Sequence, residues 1–253
     1  MAYVTDGSSH RNGTINEDVV VDFLNNIGIF SSTICKLGGT KCKADAACND
    51  AGISIKRKAN IRTGSFDWLN TSVIPSYITE QFTEFFDTIA KYRNELTPDE
   101  RELLVDEVRQ NFQDLATSIL LEMPSEVVTG FLKNALIERY EKTDSLPCKY
   151  IAITDARSKK LYLYPHNQHP VIIRLQSDDE FDLVRGTGRK ATSVQVAGTG
   201  LRIRLTTNNG IRPLLGIGKS NNQSASLVLK LQQDGVNALL NDVNPLVFDM
   251  EAN

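Results

Sequence analysis

From Leu183 through Gln233 the sequence contains no aspartate or glutamate, while Arg185, Arg189, Lys190, Arg202, Arg204, Arg212, Lys219 and Lys230 place eight positive charges there. A merely solvated surface interleaves both signs, so this absence points to a face that meets a polyanion. The opposite excess lies elsewhere. Between Tyr77 and Ser145 fifteen acidic residues accompany seven basic ones, and the net charge of −3 hides the separation. No run approaches eighteen apolar residues, and the start, MAYVTDGSSHRNGT, has no basic segment leading into an apolar one. Neither a membrane span nor a signal peptide is expected, and the reading is a soluble, cytoplasmic protein.

Cysteine is scarce, at positions 35, 42, 48 and 148 without a CxxC pair. Structural zinc favours close ligand pairs, so reduced, buried thiols are expected rather than a zinc site. His166 and His169, in PHNQHP, have a spacing open to metal binding, but two prolines and the lack of a third ligand favour a turn. Arg185-Gly-Thr-Gly-Arg-Lys superficially resembles a phosphate-cradling glycine turn. Without a strand before it and a helix after it, contact with a nucleic-acid backbone is the better reading. Internal repeats and low-complexity tracts are absent.

What remains is a chain of 253 residues with 41% hydrophobic side chains, enough for one sizeable core. A first helix is expected after Asn12 or Thr14, with Val20, Phe23, Leu24 and Ile27 at helical spacing. Glu17 falls on its apolar face, whereas Asp18 and Asp22 fall largely off it. An inward carboxylate needs a partner, either a lysine at the core rim or a metal ion and its water. NIRTGSFDWLNTS, with the sole tryptophan, reads as a loop. Ile78, Phe82, Phe85, Phe86 and Ile89 form a helical stripe. Thr97-Pro98-Asp99-Glu100 reads as a capping box opening a long helix that buries Leu104, Val108, Phe112, Leu115 and Ile119. Met123-Pro124 ends it, and Ser125 starts another helix with Val128, Phe131, Leu132, Ala135 and Leu136. After Pro147 the period becomes alternating, in KYIAITDA, KLYLYP, PVIIRLQ, TSVQVA, LRIRLTT and SLVLKLQ. The expected fold is mixed α/β: a central mixed sheet flanked by helices, in a single domain over residues 1–253, with core parts at about 12–70 and 148–253 and a helical block at about 76–142.

Residues 38–58, GGTKCKADAACNDAGISIKRK, carry the chemistry. Two short strands joined at Asn49 to Gly52 would pair Asp45 on the first with Ser54 and Lys56 on the second, and cross-strand pairing brings Asp45 and Lys56 to one site. Phosphodiester hydrolysis needs an activated water, a stabilised pentacovalent phosphate and a leaving oxygen relieved of charge, work that one or two magnesium ions can share with a few side chains. Magnesium takes oxygen ligands and keeps several waters, so one or two protein carboxylates suffice. Asp45 is the candidate direct ligand, the backbone carbonyl of Ile55 another, and Glu17 a second acidic contact. Lys56 would orient or deprotonate the water.

Glu17 on a first helix, then Gly38-Gly39-Thr40-Lys41-Cys42-Lys43-Ala44-Asp45, then Ser54-Ile55-Lys56, resembles the PD-(D/E)xK nucleases, specifically small type II restriction endonucleases of the MspI and HinP kind. The acid-free loop running into Ser224-Ala225-Ser226-Leu227-Val228-Leu229-Lys230-Leu231-Gln232 looks like their tail. Ala44 stands in place of the motif's proline, and Ser54 in the slot where an acid is usual. The resemblance implies a restriction-endonuclease-like core and magnesium-dependent, sequence-specific cutting of double-stranded DNA. It also implies a companion DNA methyltransferase and is compatible with a homodimer. Lys219, Ser220, Asn221, Asn222, Gln223 and Ser224 are then the candidate base readers. Arg57, Lys58, Arg62, Arg202 and Arg204 are candidates for phosphate contacts, and Lys41 and Lys43 could serve either purpose. A repair or structure-selective nuclease on the same core, and a non-catalytic DNA-binding protein, are the alternatives.

Overall fold

The computed structural model describes residues 8–37, 44–49, 51–58, 65–71, 74–141, 147–177, 181–186, 193–208, 210–218, 226–234 and 245–251. In chain order the elements begin with helix α1 (Ser8–Ile27) and strands β1 (Cys35–Lys36), β2 (Ala46–Cys48), β3 (Ala51–Lys58) and β4 (Ser65–Thr71). Helices α2 (Ser76–Glu80), α3 (Thr83–Glu95), α4 (Pro98–Leu103), α5 (Val105–Leu121) and α6 (Ser125–Lys133) follow, then a π-helical turn at Asn134–Glu138 and the short α7 (Arg139–Glu141). Strands β5 (Cys148–Asp155) and β6 (Lys160–Pro165), helix α8 (Pro170–Gln176), strands β7 (Leu183–Arg185), β8 (Val194–Val196) and β9 (Leu201–Thr207), helix α9 (Ile211–Leu214), and strands β10 (Leu227–Asp234) and β11 (Leu246–Asp249) complete the chain. The protein is mixed α/β. Among the described residues no single helix is long and apolar enough to cross a membrane.

The chain divides into two compact units, one of Met1–Phe66, Thr129–Glu180 and Gly235–Asn253, the other of Asp67–Val128 and Phe181–Asp234. The first holds a six-stranded sheet in the order β1-β2-β3-β5-β6-β11. β3 and β5 run parallel, and the other neighbours are antiparallel. A parallel pair needs a long crossover, and here the connection carries β4 and the helices from α2 to α7. α1 lies on this sheet because Val20, Phe23 and Leu24, three and four residues apart, form one apolar stripe against Ile53, Ile55, Ala152, Leu161 and Leu163. The helix starts at Ser8, earlier than the sequence suggested, and stops at Gly28, whose φ of +61° suits glycine. Beyond it, Asn25 clamps the returning chain, donating from Nδ2 to the Ile34 carbonyl (2.9 Å) and accepting the Ile34 N–H at Oδ1 (2.7 Å).

The second unit contains a five-stranded sheet, β4-β10-β9-β8-β7, where the expectation had a single sheet. The alternation in LRIRL is realised: Leu201, Ile203 and Leu205 are buried while Arg202 and Arg204 are half-buried. The helices of this unit pack through Phe82, Phe85, Phe86 and Phe112, whose rings lie 5.3 to 6.3 Å apart. The capping box is present. Thr97 N–H donates to Glu100 Oε2 (2.8 Å) and Glu100 N–H to Thr97 Oγ1 (3.4 Å).

Three local expectations are corrected. The helix opened at Thr97 breaks at Leu104, so α4 and α5 are separate and Leu104 is half-buried rather than core. NIRTGSFDWLNTS contributes β4, because Trp68 and Leu69 are buried and hold it in the sheet. PVIIRLQ forms α8 rather than a strand: Pro170 opens the helix, His169 Nδ1 accepts the Val171 N–H (3.2 Å), and Val171, Ile172 and Leu175 fill one buried face. His166 and His169 thus shape a turn, as expected.

Asn25→Ala would leave both backbone groups of Ile34 unbonded in a part-buried setting. It is expected to cost about 1–3 kcal/mol, read as a lowered urea midpoint with an unchanged slope.

Candidate functional site

The site is made by the β2–β3 hairpin. Cys48 pairs with Ala51 and Ala46 with Ile53, and Asn49, just past β2, takes a φ of +42°, a conformation asparagine tolerates. Asp45 immediately precedes β2, and its N–H donates to the Ile53 carbonyl (2.9 Å). Gly52 makes this close approach possible. A Cβ there would stand 2.7 Å from Ala44 Cβ and 3.2 Å from both Cys148 Cα and the Pro147 carbonyl oxygen, which accepts the Gly52 N–H.

Asp45 Oδ2 collects three donors from β3: the Ile55 N–H at 2.6 Å, Lys56 Nζ at 3.3 Å and Ser54 Oγ at 3.4 Å. Lys56 Nζ also donates to the Ile55 carbonyl at 3.1 Å. Asp45 and Lys56 are each about a quarter exposed, so the ion pair is open to solvent on one side. Among the described residues no hydrogen bond reaches Asp45 Oδ1. The expected meeting of Asp45, Ser54, Ile55 and Lys56 therefore occurs. Ser54 itself is fully buried. Behind it lies Tyr140, stacked on His166 with ring centroids 4.2 Å apart. Burial holds the Tyr140 phenol well above the ordinary tyrosine range; the Cys148 thiol and the Asp45 carboxylate push the same way, and the Ser54 hydroxyl opposes them.

Glu17 does not join this group. Its carboxylate is ion-paired with Lys36 Nζ on β1 at 3.5 Å, the lysine partner that its inward position called for. Lys36 also binds Asp18 Oδ1 (2.7 Å) and the Thr14 carbonyl (3.2 Å). The hydrogen bond to Asp18, joined by the charges of Asp18 and Glu17, holds the Lys36 ammonium above its ordinary range. Sequence reasoning also passed over Asn16, whose Oδ1 accepts from Thr154 Oγ1 (2.7 Å) and so ties α1 to β5. No local pattern marks Tyr140, Lys36 or Thr154, because each acts through an element distant in sequence.

Of the expected phosphate contacts, Arg57 is exposed on β3. Lys58 is 9% exposed and in register with Asp155 on β5. Arg202 and Arg204 alternate with buried leucine and isoleucine on β9 in the second unit. Lys41, Lys43, Arg62 and the candidate base readers Lys219, Ser220, Asn221, Asn222, Gln223 and Ser224 lie outside the described residues. Cys48 and Cys148 are buried and Cys35 exposed. Among the described residues no three His, Cys, Asp or Glu side chains converge on a point that could hold a metal ion.

The donor set at the hairpin is nonetheless of the hard-oxygen kind magnesium takes: Asp45 Oδ1, the Ile55 carbonyl with its second lone pair, and solvent. This suits one ion. A second would need another carboxylate, and Ser54 and the Lys36-bound Glu17 do not supply one.

No protein-family model matches the sequence. Among curated proteins it is similar to DNA topoisomerase 2 of Pisum sativum, with 22% identity over 162 residues, 62% of this chain and 10% of that protein. The chain thus spans about a tenth of the length of the relative it matches.

Gly52→Ala forces Ala44 and β5 away from β3. It is expected to lower stability by about 1–3 kcal/mol, measured by urea unfolding; an unchanged midpoint would show that the hairpin yields without cost.

Proposed function

We propose that the protein is a magnesium-dependent endonuclease acting on double-stranded DNA, of the restriction type, with its cutting centre at the β2–β3 hairpin. The observation that carries this reading is the Asp45–Lys56 pair at 3.3 Å, next to the Ile55 carbonyl and open to solvent. An acid and an ammonium side by side at a strand hairpin can serve opposite ends of a phosphodiester hydrolysis. Asp45 would hold one magnesium ion together with the Ile55 carbonyl. That ion, when bound, would neutralise charge on the scissile phosphate and make a coordinated water more acidic.

Lys56 would lie along the phosphate, offset its negative charge and orient the attacking water, whose proton passes to solvent or to the substrate as the new P–O bond forms. The P–O bond to the leaving oxygen breaks, and that oxygen takes up a proton. Ser54 would act on Asp45 rather than on the ion. Arg57, beside Lys56, would steady the backbone, and the acid-free segment from Leu183 to Gln233 supplies further cations for the same polyanion. The similarity to a protein named as a DNA topoisomerase agrees with this substrate class. On this reading, base recognition falls to the polar stretch at 219–224 and a DNA methyltransferase accompanies the enzyme.

A second reading, a non-catalytic DNA-binding protein, is favoured by one feature of the same pair. Asp45 Oδ2 already takes three donors and Lys56 a carbonyl as well, a complete structural unit.

Digesting a fully sequenced plasmid with Mg2+ and sequencing the ends tests both readings. Discrete fragments are expected, abolished by EDTA. Asp45→Ala and Lys56→Ala are each expected to reduce the cutting rate by about 10²-fold or more while DNA binding in a gel-shift assay persists. Binding without cleavage in Mg2+, Mn2+ or Co2+ would establish the second reading; undiminished cutting by both variants would remove the site.

A further inference from the structure

Arg93, in the last turn of α3, and Arg101, in α4, belong by sequence to the stretch from Tyr77 to Ser145 where acidic residues outnumber basic ones. The fold carries both to Gly216, inside the segment that has no acid. A Cβ built on that glycine would stand 3.1 Å from Arg101 Nη1 and 3.5 Å from Arg93 Nε. Two guanidinium groups thus border one point of the backbone.

The loop that carries Gly216 is fixed by contacts other than these. Leu214 and Leu215, at the end of α9, are buried in one cluster with Ile89 of α3 and Val105 and Val108 of α5. The chain then closes on itself: the Leu215 N–H donates to the Ile211 carbonyl (3.0 Å), the Gly216 N–H to the Pro213 carbonyl (2.9 Å) and the Ile217 N–H to the Arg212 carbonyl (2.9 Å). Gly216 has a φ of +70°, so any other residue would be strained there as well as crowding both arginines. Glu102, the acid next in sequence to Arg101, is ion-paired with Arg212.

Arg101 is half-buried in an uneven way. Its Nε is closed to solvent and has no hydrogen-bond partner among the described residues, so that edge of the cation has lost its hydration without replacement. An oxyanion held by the rest of the guanidinium offsets such a loss. Paired arginines suit a phosphate in particular, because each planar fork can donate twice to its oxygens.

We propose that Arg93 and Arg101, converging on Gly216, form a phosphate-binding site in the second unit that takes a backbone phosphate of DNA. The inference rests on the reading of DNA as the substrate and is independent of the chemistry at the hairpin. It gives this unit a positioning contact that carries no base specificity.

Fluorescence anisotropy of labelled duplexes in EDTA, over a series of salt concentrations, tests it without cleavage. Arg93→Gln and Arg101→Gln are each expected to weaken binding about three- to tenfold, and equally for duplexes of different sequence. In the double variant the slope of log affinity against log salt should become shallower by about 1, the loss of one phosphate contact. Arg93→Gln alone decides the matter if Arg101→Gln lowers the urea midpoint. Wild-type affinity and slope in folded variants overturn the inference and leave the proposed function standing. Stabilisation of the wild-type protein by millimolar inorganic phosphate, lost in the double variant while its DNA slope is unchanged, assigns the site to a free phosphate and overturns the DNA contact. A wild-type protein that binds no duplex at any salt concentration overturns both.

Discussion

The close approach of β3 to Ala44 and to β5, permitted by the missing side chain of Gly52, is the constraint on which the site depends. It seats Asp45 against β3, so that one carboxylate oxygen meets the Ile55 N–H, the Lys56 ammonium and the Ser54 hydroxyl at once. Strand pairing in this register also sends Ile53 and Ile55 to the α1 side, where Val20, Phe23 and Leu24 cover them. A one-residue slip would exchange the two faces of β3, burying Lys56 and exposing the isoleucines. Apolar packing and site chemistry are therefore fixed by the same alternation, and neither can drift without the other.

Charge is distributed with similar economy between the two units. In the first, two cations among the described residues are ion-paired close to the hairpin: Lys56 with Asp45, Lys36 with Glu17 and Asp18. In the second, Arg202 and Arg204 share β9 with three buried aliphatic residues, and Arg212 is ion-paired with Glu102. The acid-free segment is thus not wholly without acidic contacts, since the helical block supplies one. This tempers an inference from the sequence, in which all eight of its cations counted equally toward a polyanion.

How far the chain could be read in advance depended on how local each signal was. The hairpin, the capping box at Thr97 and the stripe of α1 are written in residues a few positions apart, and each was legible. PVIIRLQ was not, because a short apolar run fits a strand or a buried helix equally well; Pro170 and the His169 cap decided for α8. Trp68 lay in a stretch polar enough to pass for a loop, and burial in a sheet overrode that composition. Lys58 shares the strand face of Lys56 but is buried where Lys56 is about a quarter exposed. Glu17 marks the boundary between these cases. Its inward direction followed from helical period, whereas the choice between a lysine and a metal ion waited on where Lys36 would come.

By itself the sequence determined the mixed α/β class, the hairpin beside which Asp45 and Lys56 meet, and the segregation of basic residues, because periods of 2 and 3.6 and local charge are properties of neighbours in the chain. Only the tertiary structure decided that Glu17 belongs to Lys36, that two sheets form in two units, and that Tyr140 stacks on His166. Those outcomes join elements far apart in the chain, as β4 and β10 are, and long-range pairing leaves no trace in the local pattern of either partner.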